Sequence, residues 1–215
     1  MQEEDKDKEF NIDENNVEKN RKYSKSFYYS NKNIKRNFNL NNKYLFRSNK
    51  DKIICANCGD SRAILISEND NKIIPLSRDH KPDLQDEKKR IINSGGRVDK
   101  ICGMGPYRVW FKDAEYPGLA MSRSIGDGYA HKIGVIDEPE IFEFNLDNVK
   151  PKAIVLASDG VFEFVKNEEI KDIVGKYFYN MDSQGCAKEI VEYSRKVWEG
   201  YGYAIDDITC IVAFF

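Results

Sequence analysis

Short runs of apolar and β-branched residues are the feature that most constrains how this 215-residue chain can fold. Residues 53–58 and 153–157 are each too short for an ordinary helix and are bounded by glycine or polar residues, which is typical of buried strands. Residues 62–67 follow the first run after a tight break, and the pair predicts a β-hairpin. Residues 208–215 predict a last strand. Strands are therefore expected to form much of the core.

Helices are predicted in separate stretches between these strands. Asp83 can cap a helix over residues 84–93, which the glycines that follow would end. Asn167 can cap a second helix that runs to about residue 178, and Ser183 a third that runs to about residue 199. The last two follow one another directly and predict a pair of packed helices.

Two further segments complete the expected fold. Residues 97–118 contain several Gly and Pro residues, which predicts an irregular excursion. Residues 140–144 alternate between apolar and polar types and predict a strand. Strands and helices that occur in separate groups indicate an α+β domain with mainly antiparallel sheets.

The composition of the chain changes near residue 50. Residues 1–50 contain 11 Asn, 12 Lys or Arg and 8 Asp or Glu, without Gly, Pro or Cys. Such a segment has too little apolar surface to offset the entropy of ordering it, so we predict that it is mostly disordered up to Tyr44, where a strand begins. Residues 51–215 are the predicted globular part. Residues 21–50 carry nine basic and no acidic residues, which allows nucleic-acid binding, although a low-complexity extension is the favoured interpretation.

The overall composition argues against several classes of protein. The 34 basic residues nearly balance the 36 acidic ones, which argues against a polyanion binder. No apolar run is long enough for a membrane span, and the acidic start does not resemble a signal peptide. Five cysteines form an odd, sparse set that fits reduced thiols rather than disulfides. We therefore expect an intracellular protein, cytoplasmic or nuclear.

Acidic residues stand at the ends of the apolar runs. Asp60 and Asp159 each come shortly after such a run, whereas Asp206 and Asp207 come directly before one. A carboxylate at the mouth of an apolar sheet is costly to desolvate unless it is paired or metal-bound, and Arg62 is the only basic neighbour expected for Asp60. Oxygen ligands without His or Cys favour Mg²⁺ or Mn²⁺. Because Asp is also common at strand ends and turns, the residues alone leave a purely structural role open.

Six short motifs, in order along the chain, resemble motifs of the type 2C metal-dependent protein phosphatases. They are Asn-Cys-Gly-Asp-Ser-Arg-Ala at 57–63, Ser-Arg-Asp-His-Lys-Pro at 77–82, Ser-Gly-Gly-Arg-Val at 94–98, Gly-Leu-Ala-Met-Ser-Arg-Ser-Ile-Gly-Asp at 118–127, Ala-Ser-Asp-Gly-Val at 157–161 and Asp-Asp-Ile-Thr at 206–209. From them, residues 51–215 are identified as the C-terminal part of the catalytic domain of a member of that family.

The resemblance implies both a fold and a metal centre. The fold is a β-sandwich of two mainly antiparallel sheets flanked by paired helices, with two metal ions at one edge. Asp159 and Asp206 match ligands of Mg²⁺ or Mn²⁺, and Asp60 matches a ligand of a further, weaker site. Asp207 adds a charge where the family usually has Asn. Glu163 stands where the family often has Asp, and it is left out of the predicted ligand set.

The resemblance also implies a reaction, the hydrolysis of phosphoserine and phosphothreonine in proteins by water that the metal ions activate. No catalytic side chain beyond the metal ligands is predicted. The family's N-terminal half supplies an Arg that binds phosphate, a further acid and an Asp-Gly-His-Gly block, none of which is found in residues 1–50. We therefore expect a fold that lacks its N-terminal strands and a chain that is weakly active or inactive alone. The alternative is a non-catalytic phosphatase-like module that acts by binding partners.

Residues from about 82 to 117 match the family's flap beside the active site. Arg108 and Lys112 of this segment are candidates for contact with phosphorylated substrate. Cys102 and Arg108 also have the spacing of cysteine-dependent phosphatases. That chemistry needs a loop of backbone N–H groups that leads into a helix. Pro106 removes one such donor and the residues after Arg108 are β-like, so cysteine-dependent chemistry is not predicted.

Overall fold

The structure is a computed structural model that describes residues 38–40, 44–49, 52–147 and 149–215. Its strands are β1 (Phe38–Leu40), β2 (Tyr44–Asn49), β3 (Lys52–Asn57), β4 (Arg62–Ser67), β5 (Ile73–Pro75), β6 (Gly96–Ile101), β7 (Met104–Phe111), β8 (Pro117–Leu119), β9 (Glu140–Asn145), β10 (Pro151–Ala157) and β11 (Cys210–Phe214). Its helices are α1 (Gln85–Asn93), α2 (Gly128–His131), α3 (Asp159–Phe162), α4 (Asn167–Phe178) and α5 (Ser183–Tyr201).

Two antiparallel four-stranded sheets form the body of the molecule. The first has the order β1-β2-β3-β9 and the second the order β11-β10-β4-β5. The α+β class with mainly antiparallel sheets is therefore confirmed. The strand that was predicted to begin at Tyr44 is present as β2, and β1 before it was not predicted. Disorder was predicted up to Tyr44; residues 1–37 and 41–43 of that segment lie outside the described residues.

The predicted hairpin of residues 53–58 and 62–67 is wrong, because β3 and β4 belong to different sheets. The chain crosses from one sheet to the other at Gly59, whose φ of 122° is open to glycine but not to other residues. The Asn57 side chain stabilises this crossing by donating hydrogen bonds to the carbonyl oxygens of Gly59 at 3.1 Å and Arg78 at 2.8 Å. Each sheet therefore receives one of the two strands.

Alternation of side chains along the central strands builds two apolar layers. One face of β4 and β10 carries Leu65 and Leu156, which pack with Ile53 of β3 in the core between the sheets. The opposite face carries Ile64 and Val155, which pack against α4 and α5. Because both faces are buried, β4 and β10 appear in the sequence as continuous apolar runs.

The helices lie close to their predicted positions, but their first residues differ. Asp182 rather than Ser183 caps α5, because its carboxylate accepts the amide N–H of Gly185 at 2.8 Å. Leu84 precedes α1 and Asp83 makes no capping hydrogen bond there. The chain therefore enters α1 one residue later than predicted and α5 one residue earlier. None of the helices in the described ranges combines the length and apolarity required to cross a membrane.

The predicted irregular excursion over residues 97–118 is also wrong, since it forms a third antiparallel sheet of the order β6-β7-β8. Gly103 lies at the turn between β6 and β7, and Gly105 is the second residue of β7; both have positive φ. Pro117 begins β8. The Gly and Pro residues thus mark turns and strand ends. This sheet packs with α1 around a small apolar cluster that includes Ile91 and Val109.

A buried carboxylate fixes α1 against the loop before α2. Glu87 is fully buried and accepts two hydrogen bonds from Arg90 at 2.9 and 2.7 Å, and Arg123 donates to it at 2.7 Å. The Ser122 hydroxyl donates to the same carboxylate at 2.5 Å. Burial alone raises the pKa of Glu87, but the bonds from Arg90, Arg123 and Ser122 hold it well below its ordinary value. Glu87 is therefore ionised and joins α1 to the loop before α2.

Candidate functional site

Three strand ends lie side by side at one edge of the second sheet. Ala157 at the end of β10 is directly opposite Cys210 at the start of β11 and Arg62 at the start of β4. The segments after β10, before β11 and before β4 therefore leave the sheet at the same edge. The register of the strands alone therefore brings the side chains on these three segments to the same edge of the sheet.

The predicted metal ligands all lie on these segments. Asp159 is the first residue of α3 and is separated from the end of β10 by one residue; its side chain is half-buried. Asp206 precedes β11 and is exposed, whereas Asp60 precedes β4 and is only 1% exposed. The structure thus places the three acids at one edge, while their role as metal ligands stays a prediction.

The segments that carry Asp159 and Asp206 are joined by backbone contacts. The Ser158 hydroxyl donates to the carbonyl oxygen of Asp207 at 2.9 Å and accepts the amide N–H of Thr209 at 3.0 Å. Gly160 lies so near that a Cβ there would be 2.5 Å from the Asp207 carbonyl oxygen. Glycine is therefore required at this position for the two segments to meet.

The Asp60 carboxylate is paired with a lysine that the sequence analysis did not identify. Its Oδ2 lies 2.8 Å from Nζ of Lys81, and its Oδ1 is buried without a hydrogen-bond partner. The same ammonium group lies 3.4 Å from Oε2 of Glu163, directly after α3. Lys81 belongs to the motif at 77–82, which is the signal that could have drawn attention to it.

The predicted pairing of Arg62 with Asp60 is wrong. Arg62 instead makes two hydrogen bonds to the carboxylate of Asp79, at 3.0 and 2.8 Å. It also donates to Asn167 at 3.1 Å and lies over the Phe162 ring at 4.6 Å. The planar guanidinium group therefore joins the turn before α1 to the α3–α4 region.

His80 holds the turn that carries Asp60. Its backbone N–H donates to the Gly59 carbonyl oxygen at 3.0 Å, and its Nδ1 accepts the Gly59 amide at 3.1 Å. Its Nε2 lies 3.2 Å from the Glu140 carboxylate, so a neutral ring with its proton on Nε2 satisfies both contacts. Burial, and then the charge of Arg123, lower the pKa of His80 and favour this neutral form. His80 is thus a structural residue here.

The flap residues are placed by the third sheet. Arg108 lies on β7, where one guanidinium nitrogen donates to the Gly118 carbonyl oxygen at 2.7 Å, and Lys112 follows that strand and is exposed. Contact of either residue with substrate stays a prediction. Cys102 lies in the turn between β6 and β7, so it and Arg108 belong to a hairpin and not to a loop that precedes a helix.

The described carboxylates do not complete a metal site by themselves. Among residues 52–147 and 149–215, no group of three or more His, Cys, Asp and Glu side chains is arranged to hold a metal ion. The buried, unpartnered Oδ1 of Asp60 has the chemistry of a cation ligand. Its other oxygen is taken by Lys81. The edge therefore offers separate acids rather than a closed coordination sphere.

Two antiparallel sheets and a pair of helices, with acidic segments at one sheet edge, define a layered α+β protein. The chain belongs to the protein phosphatase 2C family, whose profile matches residues 43–197. The probable protein phosphatase 2C 73 of Arabidopsis thaliana is 38% identical over 168 residues, which are 75% of this chain and 44% of that relative. The probable protein phosphatase 2C 35 of the same plant is 38% identical over 185 residues, 75% of this chain and 51% of that relative. The chain thus spans about half the length of these relatives.

Solved structures share the fold. A serine-threonine phosphatase 2C from Toxoplasma gondii superposes with a TM-score of 0.69 at 21% identity, over 80% of this chain and 57% of that one. A sex determining protein of C. elegans gives a TM-score of 0.65 at 19% identity, over 80% and 39% of the two chains. The family and the fold that the sequence motifs predicted are both confirmed.

Proposed function

We propose that this chain is part of a metal-dependent phosphatase that hydrolyses phosphoserine and phosphothreonine in other proteins with Mg²⁺ or Mn²⁺. The observation that carries the proposal is the row of Arg62, Ala157 and Cys210, which brings three acid-bearing segments to one sheet edge in a member of this family. Hydrolysis of phosphate monoesters is among the slowest uncatalysed reactions. Cations gathered by such an edge would neutralise the phosphoryl oxygens.

This chain's own residues contribute positioning to that chemistry. The contacts of Ser158 with Asp207 and Thr209 hold the segments of the two predicted ligands together. The contacts of His80 with Gly59 hold the turn before Asp60. In this proposal, Asp159 and Asp206 supply two of the metal-binding carboxylates, and further ligands come from elsewhere in the family's domain.

We propose in addition that residues 1–215 have little or no phosphatase activity alone. The family's N-terminal blocks are not found in residues 1–50, and no three-ligand group occurs among the residues whose side chains the structure describes. With two or three separate acids, the affinity for metal ions is low and the attacking water is poorly placed. Robust Mn²⁺-dependent turnover of a phosphothreonine peptide by residues 1–215, abolished by Asp159→Asn, would contradict this part of the proposal.

A chimera tests the proposed reaction itself. Residues 43–215 would be joined to the part of the probable protein phosphatase 2C 35 of Arabidopsis thaliana that the match does not cover. We expect Mn²⁺-dependent release of phosphate from a phosphothreonine peptide, and we expect Asp159→Asn in the chimera to abolish it. Asp172→Asn, which changes an exposed acid on α4, is the matched control and should keep the activity.

A folded chimera without turnover would contradict the proposed reaction, as would full activity of its Asp159→Asn variant. The first result would favour the alternative of a non-catalytic module that binds partners. Two observations give that alternative weight. Lys81 rather than a further acid faces Asp60, and no three-ligand group occurs in the part of the chain whose side chains are described.

The proposed location is inside the cell, cytoplasmic or nuclear, with phosphorylated proteins as substrates. None of the five cysteines forms a disulfide, and four of them are buried. Free thiols are typical of reducing compartments. Localisation of a fluorescent fusion of the full-length gene product tests this point.

A further inference from the structure

We propose that the ammonium group of Lys81 occupies the place of a divalent cation at Asp60, so that Asp60 binds such an ion only when Lys81 is displaced. Lys81 is then an internal regulator of ion binding at this edge. The regulatory meaning rests on the proposed function, whereas the competition itself is a property of the side chains and is tested without turnover.

The contacts of Asp60 are those of a buried anion with one built-in cation. Its carboxylate is 1% exposed, so the charge requires a partner. Nζ of Lys81 lies 2.8 Å from Oδ2 and 3.4 Å from Oε2 of Glu163. The ammonium group therefore lies between carboxylates of two different segments, as a bridging metal ion does.

The position of Lys81 is fixed by its neighbours on both segments. On one side of the pair, His80 and Gly59 are joined by two hydrogen bonds. On the same turn, Asp79 accepts two hydrogen bonds from Arg62. Residues one or two positions from Lys81 are thus hydrogen-bonded to residues one or two positions from Asp60. These bonds hold the backbone on both sides of the ion pair in place.

The positive charge of Lys81 is matched by its surroundings. Its ammonium group lies 2.8 Å from the Asp60 carboxylate and 3.4 Å from that of Glu163, and a lysine side chain is ordinarily protonated at neutral pH. A divalent ion that approached Asp60 would meet this charge at van der Waals distance and would be repelled.

Removal of the ammonium group converts the pair into a vacant anionic site. In Lys81→Met, both oxygens of Asp60 lack a donor, and Glu163 remains nearby. Two carboxylates without a cation attract a hard divalent ion. We therefore expect the variant to bind Mn²⁺ at least about tenfold more tightly than the unchanged protein does.

The experiment is a titration of purified residues 1–215 with Mn²⁺, in which electron paramagnetic resonance measures the free ion. The variants are Lys81→Met, the double change Lys81→Met with Asp60→Asn, and Lys72→Met as the matched control. The control also breaks a Lys–Asp pair, at 2.9 Å to Asp70, but an exposed one. We expect tight binding to appear in Lys81→Met, to vanish in the double variant and to be unchanged in Lys72→Met.

Either of two results with folded proteins would overturn the proposal. One is tight Mn²⁺ binding by the unchanged protein that Asp60→Asn abolishes, because the ion would then coexist with Lys81. The other is a folded Lys81→Met variant, by circular dichroism, that gains no Mn²⁺ binding. If Lys81→Met does not fold without metal, recovery of its folding in millimolar Mn²⁺ supports the proposal, and failure to recover overturns it. Because no outcome depends on phosphate release, failure of the chimera leaves this test unaffected.

Discussion

Gly160→Ala is predicted to separate the two segments that carry Asp159 and Asp206. The added Cβ would lie 2.5 Å from the carbonyl oxygen of Asp207 and 3.1 Å from Cα of Ile208. Real Cβ atoms essentially never come within 3.0 Å of such a neighbour, so the backbone must move by at least about 0.5 Å. Retreat in the other direction is opposed, because the Trp198 indole N–H donates to the Gly160 carbonyl oxygen at 2.7 Å.

The size of the effect follows from this rigidity. Overpacking costs about 1–3 kcal/mol. A clash with the backbone of Asp207, together with the Trp198 hydrogen bond that opposes retreat, places this change in the upper half of that range. Each kcal/mol shifts the melting temperature of a domain of this size by about 2–4 °C. We therefore expect Gly160→Ala to melt about 4–12 °C below the unchanged protein.

Thermal unfolding followed by circular dichroism measures this difference. Gly175→Ala is the control, because Gly175 lies inside α4 and a Cβ there meets no heavy atom within 4 Å. Alanine favours helix by about 1 kcal/mol over glycine, so the control should melt at the same temperature or slightly higher. A Gly160→Ala protein that melts with or above the unchanged protein would refute the close approach as described.

Three further outcomes follow from the buried charges and thiols. Glu87→Gln should lower the free energy of unfolding by about 3–5 kcal/mol in urea, because Arg90 and Arg123 lose a buried counterion. Since the pKa of Glu87 is lowered in the folded state from its ordinary 4.5, its contribution to stability is complete above that pH and is lost as the pH falls. In urea titrations below pH 4.5, the free energy of unfolding should therefore fall more steeply with pH in the unchanged protein than in Glu87→Gln. A thiol reagent should modify one cysteine rapidly in the native protein, the exposed Cys102, and all five after denaturation, because burial shields the others and raises the pKa of Cys55 to about 12. Rapid modification of native Cys102→Ser would contradict the burial.

The elements of the fold were largely predictable, whereas the pairing of its strands was not. The runs that became β4 and β10 are apolar throughout because both of their faces are buried, and that pattern is visible in the sequence. The partner of β3 depends instead on the turn at Gly59, which directs the chain into the other sheet. Gly and Pro residues occur both in irregular segments and at the turns between strands. For that reason they predicted an irregular excursion where the structure has a third sheet.

In the candidate site, too, some residues could be predicted from the sequence and others could not. The acids could be found because each stands beside an apolar run, and strand register then brings Asp60, Asp159 and Asp206 to one edge. The partner of Asp60 could not be found by nearness in sequence, because Lys81 is 21 residues away and reaches it through the contacts of His80. Sequence proximity favoured Arg62, which tertiary contacts assign to another carboxylate.

The two ends of the segment between β5 and β9 are hydrogen-bonded to each other where the segment leaves and rejoins the sheets. Glu140, the first residue of β9, accepts a hydrogen bond from Arg78 at 3.0 Å, although 62 positions separate them along the chain. A loop whose two ends are tied together in this way can gain, lose or exchange residues without shifting the register of either four-stranded sheet. The flap can accordingly change in length or sequence without a change in the strand pairing of the two sheets beneath it.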